Sequence, residues 1–214
     1  MFVRNRMTTK VITVTPEQTV PDAQGVLTLY NLKHLPVVDG EKLVGVLSRV
    51  DVAKASPSTA STLDAGELNY LLAKIKVRDI MAKKLITATP NMLLEEAATL
   101  MRANRVSFLP VVEGEKLVGV ITESNIFDAF IDILGFNDKG TRLTIEVEDT
   151  GPGILATVAR TFADCNVSIS SHALYHLPDN RAAMVFGTAL EDTSELEAAL
   201  QAAGYPVYWK LKIE

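Results

Sequence analysis

With a single cysteine among 214 residues, Cys165 has no internal partner. No disulfide braces the fold, and a reducing compartment is expected. Cys165 reads as a small apolar filler before it reads as a nucleophile. Histidine is equally scarce. His172 and His176 share a strand face, but four residues of strand separate them by roughly 13 Å, and His34 stands in the first half of the chain alone, so no metal site is expected. No uncharged apolar stretch approaches the ~20 residues that cross a bilayer. The opening MFVRNRM is basic with no apolar run behind it, which argues against a signal peptide. A cytoplasmic protein without a membrane role is expected. Basic residues are thin where nucleic acid would need them: the net charge is −5, and residues 141–214 hold 5 basic side chains against 10 acidic ones. Neutralising phosphates takes clustered Lys and Arg, so nucleic acid is excluded as that region's partner. There is no Ser-His-Asp set, no Walker loop and no Cys-x-x-Cys pair, and no catalytic centre is expected.

What the chain does have is ordinary globular composition, 48% hydrophobic and 22% charged, with length for one or two domains and a long internal repeat. Residues 35–46 read LPVVDGEKLVGV and residues 109–120 read LPVVEGEKLVGV, identical at eleven of twelve positions. The match extends at a constant offset of 74 residues. Val3-Arg4 and Met7 align with Val77-Arg78 and Met81, Ile12-Thr13 with Ile86-Thr87, and Ser48-Arg49-Val50-Asp51 with Thr122-Glu123-Ser124-Asn125. Two copies are too few for a solenoid. They predict two similar units packed around a pseudo-twofold axis, and a cleft between such units would itself occur twice.

Each copy reads β-α-β-β-α. In the first, residues 1–56, Val11–Val14 is a short strand stopped at Pro16. Val20, Ala23, Leu27 and Tyr30 recur at helical spacing behind the cap-like Thr19. Leu35–Val38 and Leu43–Leu47 form a hairpin around Asp39-Gly40, and Ser48 fits an N-cap for a short helix. Residues 57–76 read as a polar linker and a connecting helix with Leu68, Leu71, Leu72 and Ile75 on one face. The second copy, 77–137, ends in a helix with an apolar stripe of Ile126, Phe127, Phe130, Ile131 and Leu134, suited to a core or an interface. A third region, 140–214, alternates strand and helix patterns in the order β-α-β-β-α-β, the ferredoxin-like split arrangement.

The repeat resembles a tandem of CBS domains, carried by Leu35-Pro36-Val37-Val38-Asp39 with Gly45 to Asp51, and by Leu109-Pro110-Val111-Val112-Glu113 with Gly119 to Asn125. The third region resembles an ACT domain through Gly151-Pro152-Gly153-Ile154-Leu155 and Asn166-Val167-Ser168-Ile169. That succession, with the Glu67-Leu68-Asn69-Tyr70-Leu71-Leu72 segment, is similar to the acetoin-utilisation regulatory family. The expected class is mixed α/β, a tandem CBS pair followed by a ferredoxin-like ACT domain.

The resemblance implies an adenosyl ligand such as AMP, ATP or S-adenosylmethionine in the clefts, as a regulatory ligand and not a catalytic cofactor. The residues suit it. Val3, Ile12, Val77 and Ile86 with the Leu-Pro strands would make an apolar slot for adenine. The Asp51 carboxylate would accept both ribose hydroxyls, and Ser48 or Thr122, opening a helix, would meet a phosphate. Arg4, Arg78, Lys83 and Lys84 are candidate phosphate cations, with a solvated surface as the competing reading. Ser48 and Asp51 have a competing role as plain helix caps. The copies differ where Asn125 replaces the carboxylate, losing charge assistance, and where Glu123 replaces Arg49. Tighter binding at Asp51 than at Asn125 is therefore expected.

In the ACT-like region the turn at Gly151 and Gly153, leading into Ile154, exposes N–H groups that would receive an amino-acid carboxylate, with Asn166 adding a hydrogen bond. An acidic residue usual two before the proline is absent: Thr150 stands there and Asp149 one further back. These readings imply a non-catalytic sensor of small-molecule effectors, a homodimer, with an enzyme of acetoin or acetate metabolism as its target. The alternatives are an enzyme with an unrecognised transferase or hydrolase activity, and a purely structural dimerisation module.

Overall fold

The two hairpins of the repeat dominate the first half of the fold, because their turn residues leave little choice. In the computed structural model, which describes residues 1–55, 74–148, 151–178 and 181–213, Gly40 and Gly114 both take φ +62°, a conformation that glycine adopts without steric cost. Strand β1 (His34–Asp39) pairs antiparallel with β2 (Lys42–Ser48), and β3 (Phe108–Glu113) with β4 (Lys116–Thr122). Register and irregularity repeat at the same offset, between Val37 and Val38 and between Val111 and Val112. The hairpins meet in one sheet of order β1-β2-β4-β3, joined at Lys42 and Lys116. Like charges directly opposite destabilise a sheet. Here each lysine pairs across the junction instead, Lys42 with Glu115 and Lys116 with Glu41, both at 2.6 Å. The four side chains are half or more exposed, so the pairs set register more than they add stability.

Helix α1 (Val20–Leu29) begins at Thr19, whose Oγ1 accepts from the Asp22 N–H, and buries Val20, Ala23 and Leu27. Helix α2 (Arg49–Ala55) follows β2, α3 (Val77–Ile80) is one turn, and α4 (Leu94–Asn104) buries Leu94, Ala97 and Met101. The expected first strand of each copy is reduced to one parallel bridge, Val14 to Val37 and Ala88 to Val111. The Val14 N–H donates to the Pro36 carbonyl and its carbonyl accepts from Val38. Pro36 has no N–H to extend the ladder, and Pro16 turns the chain away.

The leading segments of the copies are exchanged. The Val77 and Arg78 N–H groups donate to Gln18 and Pro16 of the first copy, and those of Val3 and Arg4 donate to Met92 and Pro90 of the second. Val77, wholly buried, belongs to the first copy's core with Val14, Leu27, Leu35 and Leu47. The exchange brings Met81 against Gly45 and Met7 against Gly119, where an added Cβ would lie 2.3 Å and 2.8 Å from the respective sulfur atoms.

The chain divides into two compact units, Met1–Ile126 and Phe127–Glu214, with helix α5 (Glu123–Ile133) running across the division. In the second unit, β5 (Gly140–Val147), α6 (Ile154–Asp164), β6 (Ser171–His176), β7 (Ala182–Thr188), α7 (Ser194–Ala202) and β8 (Val207–Ile213) follow in order. Their sheet, β6-β7-β5-β8, is antiparallel throughout, the connectivity of the split βαββαβ arrangement. Leu143, Ile145, Phe162, Phe186 and Leu200 are buried together in its core. Strand β6 begins only at Ser171, beyond the 166–169 stretch. Asn166 takes φ +55° just past the end of α6, the left-handed exit that asparagine tolerates, and β6 pairs from Ser171 onward. The expected connecting helix up to residue 73, and Asp149, Thr150, Asp179 and Asn180, lie outside the described residues.

Candidate functional site

Two clefts open beside the hairpins, and each draws on both copies. One is lined by Ser48 and Asp51 of the first copy with Lys84, Ile86 and Pro110 of the second. The other is lined by Thr122 and Asn125 of the second copy with Lys10, Ile12 and Pro36 of the first. Offsetting either set by 74 residues produces the other, so the clefts are pseudo-twofold mates. Their cavities differ: about 200 Å³ at Asp51 and about 460 Å³ at Asn125.

His34 and Phe108 line both clefts and stack at 5.1 Å between ring centroids. These are equivalent positions, so the pseudo-axis is occupied by one imidazole and one phenyl ring. Burial, the largest influence, holds the His34 imidazole below its ordinary value, against the pull of the nearby Asp51 carboxylate and with some help from Lys33.

Asp51 caps its helix. Its Oδ2 accepts from the Ser48 N–H at 2.9 Å and from Ser48 Oγ at 2.5 Å, while its own N–H donates to Ser48 Oγ at 3.2 Å. That leaves Oδ1 as an acceptor with no partner among the described residues. Thr122 and Asn125 reproduce the cap: Asn125 Oδ1 accepts from the Thr122 N–H at 3.0 Å and from its Oγ1 at 2.8 Å, and the Asn125 N–H donates to that Oγ1 at 3.3 Å. The Thr122 N–H requires an acceptor, so the cap dictates which way the amide faces. The free group at Asn125 is therefore Nδ2, a donor. Capping and cleft-lining, posed above as alternatives for Asp51, coexist in one residue.

The other candidates scatter. Ile12 and Lys84 stand in opposite clefts. Lys83 is not among the residues lining either cleft. Arg4 and Arg78 are drawn elsewhere by the exchanged segments: Arg4 bonds Asn91 and lies over the Phe2 ring, and Arg78 pairs with Glu17. Val3 and Val77 are buried in the cores and do not line the clefts. Lys10 was missed, although the repeat offset from Lys84 points directly to it. Lys33, at the Asn125 cleft, has no such signal because its equivalent is Ser107. In the second unit, Gly153 takes φ +100° at the start of α6 and Asn166 follows its end. An eleven-residue helix separates them by roughly 16 Å, so within one chain Gly151, Gly153 and Ile154 do not share a small ligand with Asn166. No cluster of metal-ligating side chains occurs among the described residues, and none of the described helices is long and apolar enough to cross a membrane.

Two pseudo-symmetric units that exchange their leading segments and share paired clefts define a duplicated two-cleft module. The chain belongs to the CBS domain family, whose model matches residues 3–58 and 77–132. Among its relatives, CBS domain-containing protein YhcV of Bacillus subtilis is 31% identical over 66% of this chain and 92% of its own length. Inosine-5'-monophosphate dehydrogenase of Methanocaldococcus jannaschii is 40% identical over 63% of this chain, which spans only 25% of that enzyme. Among solved structures, a Vibrio cholerae protein assigned to acetoin utilization (AcuB) superimposes with a TM-score of 0.54 at 27% identity, over 64% of this chain and 96% of that one. CBSX2 in complex with AMP gives 0.51 at 32%, over 62% and 97%. The CBS domain pair of protein MJ0100, in complex with 5'-methylthioadenosine and S-adenosyl-L-methionine, gives 0.50 at 27%, over 61% and 95%.

Proposed function

We propose that this protein is a non-catalytic sensor whose Asp51 cleft binds an adenosyl nucleotide, AMP, ATP or S-adenosylmethionine, as a regulatory ligand. The observation that carries the reading is the unpartnered Asp51 Oδ1, held by the Ser48 cap beside a cleft lined by Ile86, Val46 and Pro110. A fixed carboxylate oxygen suits the adjacent hydroxyls of a ribose, the apolar wall suits an adenine, and Lys84 in the lining suits a phosphate. Adenosyl ligands in the CBSX2 and MJ0100 structures support the same chemistry here.

The second unit is read as an ACT domain from residue 140, which its βαββαβ connectivity supports. Its role is to bind an amino acid or other small effector at the Gly151–Ile154 turn, or to dimerise. Phe127, Phe130 and Ile131, exposed on α5, support a homodimer. Likeness to the AcuB structure supports a target enzyme in acetoin or acetate metabolism. Binding that favours one of two dimer conformations would carry the signal, with couplings typically of about 1–3 kcal/mol.

A thermal-shift panel of AMP, ATP, S-adenosylmethionine and the amino acids tests this. At a hundred times its Kd a ligand stabilises the folded state by about 2.7 kcal/mol, so an adenosyl compound raises Tm by several degrees. No shift with any adenosyl compound overturns the sensor in favour of a structural module. Turnover of ATP or S-adenosylmethionine overturns it in favour of an enzyme.

A further inference from the structure

The two clefts have opposite hydrogen-bond polarity, and we propose that the Asn125 cleft is a second site for an acceptor-rich anion, a polyphosphate group, read without any requirement for a ribose diol. The inference rests on the reading of the Asp51 cleft only for its contrast. In both copies the cap consumes one side-chain oxygen, Oδ2 of Asp51 or Oδ1 of Asn125. What remains is an acceptor in the first and an N–H donor in the second. A vicinal diol needs an acceptor for its hydroxyl protons, and Asn125 Nδ2 offers none. Phosphate oxygens accept only, and Nδ2 suits them.

The surroundings agree. Lys10 and Lys33 both line the Asn125 cleft, against the single acid Glu123, whereas Lys84 is the one lysine lining the other, which it shares with Asp51. Thr8 and Ser124 add hydroxyls that can donate. In the mate cleft the equivalent of Thr8 is Ala82. The cavity of about 460 Å³ is more than twice its mate's, room enough for an extended phosphate chain with its nucleoside. The Asn125 position is therefore not a weakened copy of Asp51 but a site with a different selectivity.

The test uses the full chain, calorimetry, and three probes: ATP, 2',3'-dideoxy-ATP and inorganic tripolyphosphate. The wild-type protein binds dideoxy-ATP within about twofold of its affinity for ATP at one site, and tripolyphosphate competes there. Asn125→Asp restores the arrangement that Ser48 and Asp51 already hold in the same fold, so the helix cap is kept. It replaces the donor with a carboxylate oxygen, and it weakens dideoxy-ATP and tripolyphosphate at least tenfold while creating a preference for ATP over the dideoxy form. Lys10→Ala weakens the same two probes. The proposal is overturned if the wild type fails to bind dideoxy-ATP and tripolyphosphate, or if Asn125→Asp leaves their affinities unchanged. Loss of AMP binding at Asp51 alone would instead count against the adenosyl reading, since tripolyphosphate reports on the Asn125 cleft without a nucleoside.

Discussion

Replacing Asp51 by Asn separates two jobs that one side chain performs. The cap needs a single oxygen facing Ser48, and the second copy demonstrates that an amide provides it. Its contacts at 3.0, 2.8 and 3.3 Å match the 2.9, 2.5 and 3.2 Å of the first copy. Ligand-free stability of Asp51→Asn therefore stays within about 0.5 kcal/mol of the wild type. Asp51→Ala, which removes the capping oxygen, costs about 1 kcal/mol. Binding responds differently. The unpartnered Oδ1 becomes an N–H donor, so a hydrogen bond to a charged acceptor is lost, worth about 1.5–3 kcal/mol. AMP affinity by isothermal titration falls about ten- to a hundredfold, with denaturation midpoints measured in parallel. Unchanged AMP affinity in Asp51→Asn would refute the assignment of Oδ1 to the ligand. A ligand-free stability loss as large as that of Asp51→Ala would refute the equivalence of the two caps.

Three further outcomes follow from the packing. Val77→Ala removes two methyl-sized groups from a site with no exposure. At about 0.8 kcal/mol per buried carbon, before any cavity contribution, urea denaturation shows a loss of about 2 kcal/mol; a neutral result would contradict the exchanged segment. The half-buried His34 imidazole binds its proton less readily than in the unfolded chain. Stability is thus insensitive to this group above about pH 6.5 and falls as pH drops below it, because the unfolded state takes up the proton first. His34→Phe, which copies Phe108, removes that part of the decline, read as a difference from wild type between denaturation at pH 7.5 and 5.5. Gly119→Ala sets a Cβ 2.8 Å from Met7 Sδ and 3.1 Å from the Thr8 carbonyl oxygen, a backbone atom, whereas the three nearest atoms at Gly45 all belong to the Met81 side chain. The first is therefore the more destabilising, by about 1–3 kcal/mol in chemical denaturation.

Much of this was visible in residue order. The 74-residue offset, the hairpin glycines, the capping hydroxyls and the alternation of Leu143, Ile145 and Val147 are local signals, and each element they specify is present. The clefts were legible as a pair, and the contrast of Asp51 with Asn125 was legible within it. What lay beyond the sequence was non-local. Val3 and Val77 are each followed by an arginine and, four positions on, by a methionine, and nothing in that pattern says which core each will enter. The packing of the two copies decides that Asp51 shares a cleft with Ile86 and Lys84, and the exchange draws Arg4 and Arg78 away to Asn91 and Glu17. A basic residue counted by position alone looked available when it was already engaged. Asn166 misled for a related reason. Its left-handed turn is a demand of the helix exit, and the length of that helix separates it from Gly153.

The crossed leading segments bear on how such a chain could have arisen. In a single-unit ancestor, the same crossing would link two separate polypeptides, and both hollows would be identical because every change to one would appear in the other. Duplication and fusion of that gene end the obligation. One hollow can then drift to a new chemistry while its mate keeps the old, and a lone asparagine opposite an aspartate is the smallest step of that kind.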